Sequence, residues 1–184
     1  MAGYSMRANF SQKRLGKELK NNFYEGLKKA MIIEDEFQIS APFQQVWDFL
    51  TDIQAMVSCI PSCQKVEVFE DGSFVLTISQ KVGPISATFE TQTHFSEMLP
   101  PQRLVALGKG QDRLMGSSFE FTNTVELVPF AEKETRVKYK TDVKITGRLA
   151  SIGQPLIKLV VKKEVAKVFQ LMQDRLREPG NENV

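Results

Sequence analysis

Cys59 and Cys63 stand four residues apart, and His94 is the only histidine in the chain. Thiols and imidazole are the groups that bind metals or move electrons. Zinc or an iron–sulfur cluster takes about four ligands, more than two thiols and one distant imidazole provide. The thiols also lack the C-x-x-C spacing of a thioredoxin-like redox pair. A spacing of four would place both on one face of a short helix, but Pro61 interrupts it. They read as buried structural thiols. Nucleophilic catalysis needs a base beside the nucleophile and a third group to orient it, and the strand alternation described next turns His94, Glu90 and Glu120 outward. Tyr139 with Asn123 is the pair that could polarise a carbonyl. Gly108-Lys109-Gly110 has neither the length of a phosphate-binding loop nor a helix after it. The expectation is therefore a protein with no catalytic residue, metal or cofactor. The alternative is an enzyme, a cyclase or hydrolase, acting on a bound carbonyl compound.

The elements that would position these residues are readable from periodicity. Residues 32–39 form a short strand. Ser40 is a candidate N-cap for a helix with Pro42 in its first turn, placing Phe43, Val46, Trp47 and Leu50 on one side. Thr51-Asp52 ends that helix, and a second short one runs through Ile53, Met56 and Val57. Six strands follow, near 64–70, 73–82, 85–97, 102–110, 117–128 and 135–146. Asp71-Gly72 and Gly83-Pro84 supply the first two turns. Three of these strands have one apolar and one polar face: Ile85, Ala87, Phe89, Thr91, Thr93 and Phe95; then Phe119, Phe121, Asn123 and Val125; then Val137, Tyr139, Thr141 and Val143.

An apolar sheet face needs a cover, and residues 148–177 provide one at helical spacing through Leu149, Ile152, Leu156, Leu159, Val160, Val165, Val168, Phe169 and Met172, with a kink or restart at Pro155. The order predicts an α+β helix-grip fold: a curved antiparallel sheet of about seven strands wrapped around a long C-terminal helix. Between them the inner face mixes small or polar residues with rings, where a solid core would use more Leu, Ile and Val. Such a lining suits a small-molecule pocket. The expected ligand-binding residues are Phe74, Ala87, Phe89, Thr91, Phe95, Phe121, Asn123, Tyr139, Leu156 and Val160.

Charge divides the chain. Residues 1–30 carry seven basic residues against two acidic ones, a net of +5, so the rest carries −3 of the total of +2. This balance argues against a general nucleic-acid binder. Leu15, Leu19, Phe23 and Leu27 give the segment an amphipathic helical stripe, open to three readings: an interfacial helix on anionic lipid, a docking helix, or a leader. Residues 31–178 form the expected ligand-binding domain and 179–184 a polar tail. Few cysteines, no secretory signal and no long apolar run predict a cytoplasmic protein, with peripheral contact to the inner face of the cell membrane through the basic segment or through Lys158, Lys162, Lys163, Lys167, Arg175 and Arg177.

Several stretches also resemble a known family. VWDFLTD (46–52) is similar to the SRPBCC/START-like superfamily of lipid-transfer domains, polyketide cyclases and ligand carriers. CIPSC (59–63), KVGPISATF (81–89) and GRLASIGQPLI (147–157) resemble the CoxG family of carbon monoxide dehydrogenase subunits. The resemblance covers about residues 32–177. It implies a helix-grip fold and an accessory role beside a molybdenum hydroxylase, in maturation, membrane recruitment or coupling to a quinone pool, with a hydrophobic tunnel suited to a lipid or isoprenoid quinone. One stretch departs from the family. GKGQDRLMGSS places Arg113, Leu114 and Met115 where members tend to be glycine-rich, which alters the expected cavity mouth.

Overall fold

A strand that buries one face needs apolar residues at every second position, and a tight hairpin needs a residue that tolerates positive φ. Both conditions recur here. The computed structural model describes residues 30–112, 114 and 116–177. The expectations for the basic segment (Ala30 apart) and for the polar tail fall outside them.

The order is β1 (Met31–Ile39), α1 (Phe43–Thr51), α2 (Ile53–Ser58), β2 (Cys63–Val68), β3 (Phe74–Val82), β4 (Ile85–Leu99), β5 (Arg103–Asp112), β6 (Ser117–Ala131), β7 (Glu134–Thr146), a 3-10 segment (Gly147–Ile152) and α3 (Gln154–Arg177). The strands form one antiparallel sheet in the order β1-β7-β6-β5-β4-β3-β2. Consecutive strands β1 and β2 thus stand at opposite edges, and α1 and α2 carry the chain between them. Gly72 (φ 76°) and Gly83 (φ 59°) occupy the first two hairpin turns. At the first, Asp71 Oδ1 accepts from the Ser73 backbone N–H at 2.9 Å and its hydroxyl at 2.6 Å.

The helices depart from expectation in two places. The N-cap position of α1 is Pro42, with no side-chain cap bond; Ser40 instead gives its backbone N–H to Gln173 Oε1 on α3, 2.9 Å away. Asp52, expected only to end α1, caps α2, its Oδ1 accepting from the N–H groups of Gln54 and Ala55. Pro155 marks a restart: it lies in the first turn of α3, directly after Gly153 (φ 94°) separates that helix from the 3-10 segment.

Three buried clusters hold these layers together. Val46, Trp47 and Leu50 of α1 meet Leu127 and Val137 of the sheet and Phe169 and Met172 of α3. Met31, Ile33, Val82, Phe89 and Val143 meet Leu149 and Ile157 at the other end. Val57 covers Phe74 and Leu76 under α2. The result is the helix-grip arrangement, a curved sheet around a C-terminal helix.

Candidate functional site

Between the clusters the layers do not meet. A cavity of about 380 Å³ lies there, walled by residues from all three. Its sheet side carries Phe74, Leu76, Phe89, Phe95, Phe119, Phe121 and Val143; its helix side carries Ile157, Val160, Val161, Val165, Val168 and Phe169; Phe49, Leu50, Met56 and Ile60 close it from α1 and the α2 region.

The sequence keeps this space open by a local device on β5. Gly108 pairs with Phe121 and Gly110 with Phe119 across to β6. A Cβ on Gly108 would lie 2.3 Å from Cζ of Phe121, and one on Gly110 2.4 Å from Cζ of Phe119. The two rings therefore lie over bare backbone instead of standing into the interior. They stack on each other at 6.1 Å between centroids, and Phe89 meets Phe119 edge-on at 5.0 Å. The alternating glycines of GKG opposite the alternating rings of FEF are the sequence signal for this arrangement. Gly108, Gly110 and Phe119 were not among the expected ligand-binding residues.

The polar groups in the wall are few. Thr91 and Thr93 of β4, only 2% and 4% exposed, are successive inward residues. Tyr139 donates its hydroxyl proton to Asn123 Oδ1 at 3.1 Å. The surface Tyr139 retains faces the cavity, and burial pushes its phenol up to about 12, a hydrogen bond with Thr141 opposing the shift. Such a phenol stays protonated at physiological pH and can donate a hydrogen bond but not act as a base. Among the described residues, Glu164 is the one charged side chain in the wall, and its Oε1 accepts from Lys167 Nζ at 2.8 Å.

Of the residues expected to bind a ligand, Phe74, Phe89, Thr91, Phe95, Phe121, Asn123, Tyr139 and Val160 are brought together in this wall. Two are not. Ala87 is buried against the lining residues Val82, Phe89 and Ile157 but does not itself line the cavity. Leu156 is 36% exposed on α3, facing the β3–β4 turn, with its Cδ2 3.2 Å from the position of a Cβ on Gly83. For Leu156 the cause lies at the start of α3, since from Val160 onward the expected and observed stripes agree. The chain resets at Gly153, so the stripe reaching the cavity is Ile157, Val160, Val161, Val165, Val168, Phe169 and Met172, and Leu159 is left 64% exposed.

The thiols separate. Cys59 caps the C-terminus of α2 and lies buried in the cavity wall, whereas Cys63 opens β2 and is only half-buried. They share no helix face, and the expectation of two buried thiols holds for Cys59 alone. Burial raises the pKa of both, leaving less of the reactive thiolate. His94, Glu90 and Glu120 lie on the exposed sheet face. Among the described residues no group of three His, Cys, Asp or Glu side chains is placed to hold a metal, and no helix is long and apolar enough to cross a membrane. Leu114, in the stretch that departs from the family pattern, is 93% exposed; Arg113 and Met115 lie outside the described residues.

The fold is found in solved structures of low sequence identity. A conserved protein from Geobacillus kaustophilus superposes with a TM-score of 0.74 at 17% identity, covering 79% of this chain and 95% of that one. A START superfamily protein from Mycobacterium smegmatis gives 0.59 at 14%, covering 79% and 96%. The Zhui aromatase/cyclase from a Streptomyces gives 0.59 at 16%, covering 82% and 98%. Among curated proteins none matches. A profile of one family matches residues 36–177, well over half the sequence, with the fold and the motif stretches that the family resemblance led us to expect: the chain belongs to the CoxG family of carbon monoxide dehydrogenase subunits.

Proposed function

We propose that this protein is a non-catalytic carrier that holds a hydrophobic small molecule, a lipid or an isoprenoid quinone, in the cavity between sheet and α3. Membership of a family of accessory subunits, on a START-like fold, suggests a ligand-binding accessory protein and implies association with carbon monoxide dehydrogenase. The finer reading is that the carrier serves a molybdenum hydroxylase of that type by membrane recruitment, maturation or quinone coupling. Of these roles, coupling makes most use of an apolar interior, since a scaffold needs none.

The observation that carries the reading is the cavity itself. About 380 Å³ of largely apolar space stays open between sheet and α3, where an ordinary packed core leaves few voids larger than a water molecule. Thr91 and Thr93 line it at positions where larger apolar side chains would fill part of the space. A wall that keeps small residues facing such a space is suited to an occupant.

A second reading has one observation behind it: the hydrogen-bonded Tyr139–Asn123 pair could polarise a bound carbonyl, as a cyclase would require. Tyr139 already gives its proton to Asn123, which favours the carrier. The deciding experiment is native mass spectrometry of protein purified without detergent, followed by solvent extraction. A carrier releases an unmodified apolar molecule in stoichiometric amount. Conversion of members of a ketone and ester panel, with turnover abolished in Tyr139→Phe, would replace the carrier by the enzyme.

A further inference from the structure

Asn123 uses only one end of its amide. It is an inward residue of β6, between Ala106 of β5 and Thr141 of β7, and it lines the cavity. Its Oδ1 accepts the Tyr139 hydroxyl proton at 3.1 Å. That bond assigns the oxygen end of the amide to the tyrosine and leaves the two N–H groups of Nδ2. Among the described residues Nδ2 has no hydrogen-bond partner, yet it is not sealed from open space. The hydroxyls of Thr91 and Thr93 also lack partners, but their Oγ1 atoms are sealed in the packed wall, out of reach of a bound molecule. Asn123 differs. It is only half-buried, and the surface it keeps lies on the sheet face that bounds the cavity. A leucine would fill the same position with no donor to satisfy, and buried donors are nearly always bonded.

The surroundings say which acceptor suits this donor. Among the described residues the wall holds no Lys, Arg or His. A carboxylate would enter without a counter-charge, and burying an unpaired charge is far more costly than burying a neutral oxygen that gains a hydrogen bond. A hydroxyl would bring a hydrogen of its own, while Oδ1 already receives that of Tyr139. A carbonyl oxygen accepts and needs nothing further. Phe121 and Val125, the next inward residues of β6 on either side, continue the apolar wall in both directions. We propose that Nδ2 of Asn123 donates a hydrogen bond to a carbonyl oxygen that lies between two apolar portions of the ligand. This rests on the carrier reading and makes the Tyr139–Asn123 pair an anchor, with no bond made or broken.

The test uses the full chain, stripped of bound lipid, with diphenylhexatriene as the probe of the cavity, a fluorescent hydrocarbon without a hydrogen-bonding atom. Two competitors of one shape displace it: dihexyl ketone, and the alkene in which a methylidene group replaces the carbonyl oxygen. In Asn123→Leu the ketone concentration needed should rise about tenfold relative to the alkene, the worth of a buried hydrogen bond. With an isotope label on the carbonyl carbon, the infrared stretch of the bound ketone should lie lower in wild type than in the variant. Should the leucine variant not fold, Asn123→Ala is judged the same way. A ketone-to-alkene ratio that stays unchanged, or a carbonyl stretch that does not move, overturns the anchor and leaves the carrier standing. If wild-type protein takes up neither the probe nor either competitor, the carrier reading fails and the anchor with it.

Discussion

Tyr139 meets Phe169 edge-on, with centroids 6.0 Å apart, and keeps its hydroxyl on Asn123. Its pKa rises from the ordinary tyrosine value of 10.0 to about 12 because ionisation would place a charge in an apolar wall. The folded state therefore holds this proton more tightly than the unfolded state. Above about pH 10 unfolded chains lose it while folded ones keep it, so the unfolded state binds fewer protons and stability falls as pH rises. The contribution is complete below pH 10 and gone by about pH 12, and its size is on the order of 2 kcal/mol. Chemical denaturation from pH 9 to 12 should show this decline in the wild type and a flatter profile in Tyr139→Phe; parallel profiles would mean that the phenol is not desolvated. Most residues of the wall were legible at this scale, since two-residue alternation names the inner face. It names a face and not a depth, which is why Ala87 points inward yet lies in a packed cluster: the curvature of the sheet decides which inward residues meet the helix. The unbonded state of Thr91 and Thr93 was also invisible, because it depends on what the rest of the fold fails to bring near them.

At the scale of elements, the strands were read to within a few residues because turn chemistry and alternation agree, at Asp71-Gly72 and Gly83-Pro84 above all. Along α3 the cavity-facing stripe was read correctly from Val160 to Met172, and the reading failed at Leu156 and Leu159. The restart expected at Pro155 is present, but its effect on the first turns was not read: one residue of phase moves a side chain by about 100° around a helix. The glycines of β5 have a meaning that only pairing reveals. Gly108 faces Phe121 on the next strand, and an added Cβ meets the far end of that ring, which can swing away. Its direction of escape is the cavity. Gly108→Ala should therefore fold, with Phe121 displaced into ligand space and affinity for an apolar probe reduced about tenfold or more. Adding Phe121→Leu should restore much of the loss. Wild-type affinity in Gly108→Ala would show that the ring moves elsewhere and that the glycine is kept for another reason.

At the scale of the whole molecule, three separate clusters do the work that one continuous core does in most domains, and the occupant of the space between them becomes part of the packing. A molecule bound only by the folded state stabilises it by about 2.7 kcal/mol when present at a hundredfold over its dissociation constant. In a chain of 184 residues each kcal/mol moves the melting temperature by about 2–4 °C. Solvent stripping should thus lower Tm by roughly 5–10 °C, and returning the extract should recover it. The control is a side chain that takes the place of the ligand. Val160 lines the cavity from α3, so Val160→Trp should fill part of the space, bind less ligand and melt at nearly the same temperature before and after extraction. If stripped and loaded wild type melt together while extraction demonstrably removes an apolar molecule, that molecule sits outside the cavity. A Val160→Trp variant that keeps the full ligand response would point the same way, toward a binding surface elsewhere on the sheet or the helix.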